Sequence, residues 1–200
     1  MIKIYGSKRS SAFRCVWLAE ELGLEYEIVE VDFQKGEHKS PEYLKLNPNE
    51  KVPTMTDGDF VLWESLAICY YLMEKKQTQE FVGTTPEEHG IVNQWCLWSL
   101  MHLYSNAFAP LTMQKFRKTP DNDNTKLSKE VELPRYLGVL ENRLEGREYV
   151  ALDHFSLADI VVMSVAQSAT FIELDMTSYP NIGAWMKRTS ERLAYKKIMS

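Results

Sequence analysis

Every stretch of this chain that alternates like a β-strand lies before residue 63, whereas from Pro86 onward the apolar residues recur at helical spacing. That division constrains the fold more than any single motif does. Strands confined to the first third can close only a small sheet, and the residues that follow must bury their apolar faces against one another as helices.

Within the first third, Ile2 to Tyr5 reads as a strand ending at Gly6. Phe13, Val16, Trp17, Leu18 and Leu22 then mark a helix over about 10 to 22, which Gly23 stops. Tyr26, Ile28, Val31 and Phe33 alternate, imperfectly, as a second strand over 26–33. A polar loop and a short helical segment, Pro41 to Leu46, lead to Val52–Thr56 and Phe60–Leu62, which flank Asp57-Gly58 as a hairpin. Helical spacing resumes over 64–74. The order βαβ, short helix, ββα is that of a thioredoxin-like domain. The expected architecture is therefore an α/β thioredoxin-like N-terminal domain over 1–76 plus an all-α C-terminal helical bundle domain over 86–200, joined by a polar linker.

The predicted helices of the second domain cover about 86–117, 123–145, 156–172 and 180–198, the second weakened by Pro134 and Gly138. Ser156 and Asp159 stand three apart before Ile160, Val161, Val162 and Met163, the pattern of a reciprocal helix cap.

Composition excludes several classes. Of 200 residues, 44% are hydrophobic, enough to fill cores, and the net charge of -5 comes without any Lys/Arg tract. A nucleic-acid partner is not expected on such a surface. The polar opening after MIKIYG and the lack of about 20 successive apolar residues point to a cytoplasmic protein with no membrane partner. Cys15, Cys69 and Cys96 are odd in number and widely spaced, so buried free thiols are expected rather than a disulfide framework or a metal site.

Four stretches then stand out: KIYGSKRSSAFRCV, GEHKSPEYLKLNPNEKVPTM, LWESLAICYYL and FSLADI. In their order and spacing they resemble the glutathione transferase superfamily, most closely its serine-type members such as the phi and delta classes, bacterial or related. The likeness runs over essentially the whole length. It implies a transferase that uses glutathione as co-substrate, without a metal, to attack a small hydrophobic electrophile, as part of a detoxification function and as a homodimer.

A helix N-terminus has free N–H groups and partial positive charge, which suits an anionic sulfur. Ser10 stands four residues before Arg14, the family spacing of the thiol-activating serine, so Ser10 is the candidate catalytic hydroxyl. Ser11 takes that role if the loop register shifts by one, and Tyr5 is a further alternative because several family classes use a tyrosine near there. Arg14 resembles a bracing residue, and Lys8 and Arg9 form a small basic pair nearby. The likeness further implies that His38, Lys39 and Lys51 face the glycine carboxylate. Val52 pairs its backbone with the cysteinyl backbone of the tripeptide, Pro53 follows a cis bond, and Glu64 and Ser65 hold the γ-glutamyl ammonium and carboxylate. In the helical domain His102, Tyr104, Phe108 and Arg117 are candidates for lining an electrophile pocket.

The same tripeptide site would equally serve a glutathione-dependent isomerase, peroxidase or dehalogenase. A noncatalytic interaction protein on this scaffold is the third reading.

Overall fold

Strand β1 (Ile2–Tyr5) buries Ile2 and Ile4 and turns Lys3 and Tyr5 to a half-exposed face, the two-residue alternation of a strand inside a sheet. It pairs in parallel with β2 (Tyr26–Val29), Ile4 opposite Ile28, and antiparallel with β3 (Thr54–Asp57), Ile4 opposite Met55. β4 (Phe60–Trp63) completes the order β2-β1-β3-β4. Two of these strands are shorter than the pattern predicts. β2 stops at Val29 because Asp32 draws the following backbone into a turn, accepting from the N–H of Gln34 at 2.8 Å and of Lys35 at 3.1 Å. β3 starts at Thr54 because Pro53 has no N–H to contribute.

The computed structural model describes residues 1–200 throughout, as two compact units: Met1–Thr78 with Leu193–Ser200, and Gln79–Arg192. In the first, α1 (Ala12–Glu21) and α3 (Ser65–Lys76) pack on each other, with Phe13, Trp17, Leu18, Ile68 and Leu72 buried. α2 (Pro41–Leu46) is capped by Ser40, whose hydroxyl accepts the Tyr43 N–H at 3.1 Å. Cys15, Cys69 and Cys96 are buried, and none of them forms a disulfide.

The second unit is helical: α4 (Pro86–Trp98), α5 (Ala109–Arg117), α6 (Asp123–Leu127), α7 (Leu133–Leu144), α8 (Leu157–Ala166), α9 (Ser168–Phe171) and α10 (Pro180–Ser190). Between α4 and α5 the chain stays helical but widens into π geometry over Ser99–Phe108, and it widens again over Ser128–Glu132 before α7. Both wide segments end just before a proline, Pro110 and Pro134. A proline inside a helix lacks a donor and its ring collides with the carbonyl four residues back, and a wider turn relieves both problems. Hydrogen bonds spanning five residues show the adjustment: the Ala109 N–H reaches the Tyr104 carbonyl, and the Leu133 N–H reaches that of Ser128.

The helix expected over 180–198 is two. Thr189 Oγ1 bonds back to the Trp185 carbonyl at 3.0 Å and Ser190 Oγ to that of Lys187 at 2.8 Å, hydroxyl competition that loosens the helix end. α11 (Leu193–Met199) then packs on α1 in the first unit, with Tyr195 edge-on to Trp17 at 4.9 Å and Lys197 paired to Glu20 at 2.7 Å. The expected cap before α8 is present: the Asp159 carboxylate accepts the Ser156 N–H at 2.9 Å. No helix is long and apolar enough to cross a membrane.

Candidate functional site

Two of the candidate residues of the first unit, Ser10 and Val52, meet at Gly6, which follows β1. A side chain on Gly6 would bring its Cβ to 2.7 Å from Ala12 Cβ, 3.1 Å from Ser10 Oγ and 3.3 Å from Val52 Cβ, and its φ is +141°. Only glycine lets the start of α1 and the Val52–Pro53 turn approach this closely. From sequence alone Gly6 marks only the end of a strand. Gly6→Ala is expected to destabilise the first unit by about 2 kcal/mol, combining overpacking with an unfavourable backbone angle, and chemical denaturation checks it.

Ser10 precedes α1, and its hydroxyl is fully engaged within its own loop. It donates to the Ser7 carbonyl at 2.9 Å and accepts the N–H groups of Ser7 at 3.1 Å and Ala12 at 3.2 Å. The oxygen thus occupies the anion-seeking end of the helix. Ser11 Oγ donates instead to the Val52 carbonyl at 2.8 Å, tying α1 to a turn that is 41 residues away in sequence. Tyr5 is half-buried and meets Tyr43 edge-on, with centroids 6.2 Å apart.

The Val52–Pro53 peptide bond is cis, as the resemblance implied. Three residues outside the expected site hold this turn. Tyr43 Oη donates to the Lys51 carbonyl at 2.7 Å, and Asn47 Nδ2 donates to the same oxygen at 2.8 Å and to Thr54 Oγ1 at 3.1 Å. Thr54 Oγ1 lies 2.9 Å from Tyr43 Oη, and because the tyrosine proton serves Lys51, threonine is the donor between them. Asn47 and Thr54 are buried, and burial raises the Tyr43 phenol above its ordinary pKa. The signal in sequence was the Asn47-Pro48 pair, whose side-chain partners spacing alone does not reveal. Lys51 and Lys39 are exposed, their charged ends in solvent.

His38 is half-buried, its ring stacked on Phe33 at 4.3 Å between centroids, with Nδ1 buried and without a hydrogen-bond partner. A buried N–H with no acceptor costs more than a buried lone pair, so the neutral ring carries its proton on Nε2.

Glu64 joins β4 to α3 with φ +75°, a left-handed angle that a non-glycine residue adopts at a cost of about 1–3 kcal/mol. Its exposed side chain does not cap α3, which leaves the first N–H groups of that helix uncapped by it. Ser65, the first residue of α3, is buried and accepts from Arg14 Nη1 at 3.2 Å. Ser10, Ser11, Val52 and Pro53 therefore form one cluster around Gly6, and Ser65 is bound to α1 through Arg14.

In the helical unit the four pocket candidates separate. Phe108 is fully buried and belongs to the core, which corrects the expectation that it lines a pocket. His102 stacks on Tyr136 at 5.8 Å, and Tyr104 and Arg117 are exposed.

Comparison with known proteins agrees in both units. A family model described as "Glutathione S-transferase, N-terminal domain" matches residues 2–74, and one described as "Glutathione S-transferase, C-terminal domain" matches residues 100–192. The chain is 36% identical over 208 aligned positions to a probable glutathione S-transferase GSTF2 of Oryza sativa subsp. japonica, covering 100% of this chain and 96% of the relative. It is 34% identical to glutathione S-transferase 1 of Zea mays, covering 98% and 95%. A solved structure of glutathione S-transferase-I bound with lactoylglutathione superposes with a TM-score of 0.85 at 34% identity, covering 98% of this chain and 97% of that one.

Proposed function

The chain belongs to the glutathione S-transferase family, and on that premise we propose that Ser10 activates the glutathione thiol for attack on a small apolar electrophile. The observation that carries this reading is the position of Ser10 Oγ, which accepts the first N–H of α1 at the helix end where negative charge is favoured.

The tripeptide binds extended along the Val52 edge. The Val52 carbonyl already accepts from Ser11, but a carbonyl has two lone pairs, so one remains for the cysteinyl N–H. Lys51, Lys39 and the Nε2–H of His38 supply donors for the glycine carboxylate. Ser65 and the start of α3 take the γ-glutamyl carboxylate, and Glu64 takes the ammonium. The sulfur then falls beside Ser10, which releases the Ser7 carbonyl and turns its proton to the thiolate. Ser10 is favoured over Ser11 because a neutral bond inside one loop turn is exchanged, whereas the Ser11 bond anchors the tripeptide's own docking edge.

A free thiol has a pKa near 8.5, so lowering it by about two units takes about 2.7 kcal/mol of preference for the thiolate. Exchanging a neutral hydrogen bond, about 1 kcal/mol, for one to a charged group, about 2 kcal/mol, supplies roughly 1 kcal/mol. The dipole at the start of α1, whose first N–H is bonded to Ser10 Oγ, adds up to about 2 kcal/mol. The two together meet the requirement.

The exposed Met101, Met113 and Phe116 of the helical unit favour an apolar second substrate. We further propose a homodimer acting in the cytoplasm.

Titration calorimetry with glutathione is expected to show saturable one-site binding below millimolar concentration, and an aryl halide should yield the thioether. Absence of saturation would overturn the reading. Binding with no thioether, but with turnover of a peroxide, would move the activity to the peroxidase alternative.

A further inference from the structure

Arg14 is the third residue of α1, is 6% exposed, and reaches across to the first residue of α3, where its Nη1 donates to Ser65 Oγ at 3.2 Å. A guanidinium keeps its charge at every accessible pH and has donors only. The bond therefore runs in one direction: Arg14 fills one lone pair of the Ser65 oxygen and leaves the hydroxyl proton uncommitted. A hydroxyl has a single proton, and a donor approaching its oxygen from the interior bars that proton from pointing at the donor and confines it to the remaining rotor positions. Accepting from a cation also polarises the O–H bond and makes it a stronger donor.

The surroundings match that direction. Ser65 opens α3, whose N-terminal N–H groups favour an anion, and the Glu64 side chain leaves them uncapped. The cation one hydroxyl away adds positive potential at the same point from within the protein, where screening by water is weak.

We propose that Arg14 is a positioning residue for the γ-glutamyl carboxylate of glutathione: it orients and polarises the Ser65 hydroxyl, which alone of the two touches the ligand. This deepens the reading of the tripeptide site and rests on it. Arg14 therefore governs affinity for the carboxylate end of the substrate and leaves the sulfur chemistry untouched.

The test combines a double-mutant cycle with a ligand that lacks the group in question. Glutathione and 4-aminobutyryl-cysteinylglycine, which has no γ-glutamyl carboxylate, are compared on wild type and on the variants Arg14→Met, Arg14→Lys, Ser65→Ala and Arg14→Met/Ser65→Ala. Arg14→Met is expected to raise KM for glutathione about tenfold with kcat at saturation within about twofold. Arg14→Lys, which keeps the charge and a donor, restores most of that affinity. Ser65→Ala causes the same loss, and the double variant is no worse than Ser65→Ala alone. For the truncated peptide, wild type and Arg14→Met bind alike.

Additive losses, an equal loss for both ligands, or a fall in kcat without a rise in KM would overturn the proposal. Should Arg14→Met fail to fold, Arg14→Lys and Ser65→Ala still decide the question. If both lose the same affinity for the truncated peptide as for glutathione, the proposal fails. Wild-type protein that binds neither peptide defeats the functional reading itself, an outcome distinct from all of these.

Discussion

Replacing Ser10 with alanine is expected to lower turnover about fivefold near neutral pH, the equivalent of the roughly 1 kcal/mol of thiolate preference its hydroxyl supplies, while glutathione still binds within about threefold of its wild-type affinity. The asymmetry follows from what the hydroxyl does. Ser10 Oγ donates to a loop carbonyl, and in the binding mode proposed above it meets only the sulfur, while Val52 and the groups at the two carboxylate ends carry the affinity for the tripeptide. Its loss raises the pKa of the bound thiol, so the pH profile of kcat/KM moves to higher pH and part of the lost rate returns in alkaline buffer. Direct titration of the thiolate by its ultraviolet absorbance measures the same shift. If Ser10→Ala kept full activity while Ser11→Ala or Tyr5→Phe lost it, the assignment would pass to one of those residues.

Asp159→Ala is expected to cost about 3–5 kcal/mol of stability, the penalty for breaking a buried charged network from one side. The carboxylate is fully buried and accepts four hydrogen bonds, all near 2.9 Å: from the N–H groups of Val150 and Ser156, from the Ser156 hydroxyl and from Trp185 Nε1. One side chain thus caps α8, anchors the segment before it and secures the buried indole of α10. Burial raises the Asp159 carboxyl above its ordinary pKa, against the pull of these four donors. Removing the acceptor strands four buried donors. Asp159→Asn fares little better, since its amide nitrogen faces two donors. Thermal unfolding should fall by about 6–20 °C for a chain of this size, and melts followed by circular dichroism check it. A fall of less than about 3 °C would show that the network carries little stability.

What the sequence discloses depends on the range of the forces involved. The strand, helix, strand start, the hairpin at Asp57-Gly58 and the cap at Ser156 are set by neighbours a few residues apart, and each was legible. Tyr43 and Asn47 converge on the Lys51 carbonyl, and Thr54 Oγ1 bonds to both of their side chains, through rotamer choices that no local period encodes. The candidate residues could be named from the resemblance, yet the loop bond that occupies the Ser10 proton is a geometric fact with no counterpart in spacing. Pro134 disfavours a continuous helix, yet the chain keeps the helix by widening it ahead of the proline. Pro110 raised no warning, although the same physics widens the turns before it.

The return of residues 193–200 to α1 bears on the order in which the protein can mature. On a ribosome, the sheet and its two main helices emerge early, yet the flank of Phe13 and Trp17 that Tyr195 covers stays open until the whole intervening bundle has been synthesised. A nascent chain thus carries an unfinished first unit for most of translation, and a product cut short before Leu193 leaves aromatic surface for chaperones and proteases to find.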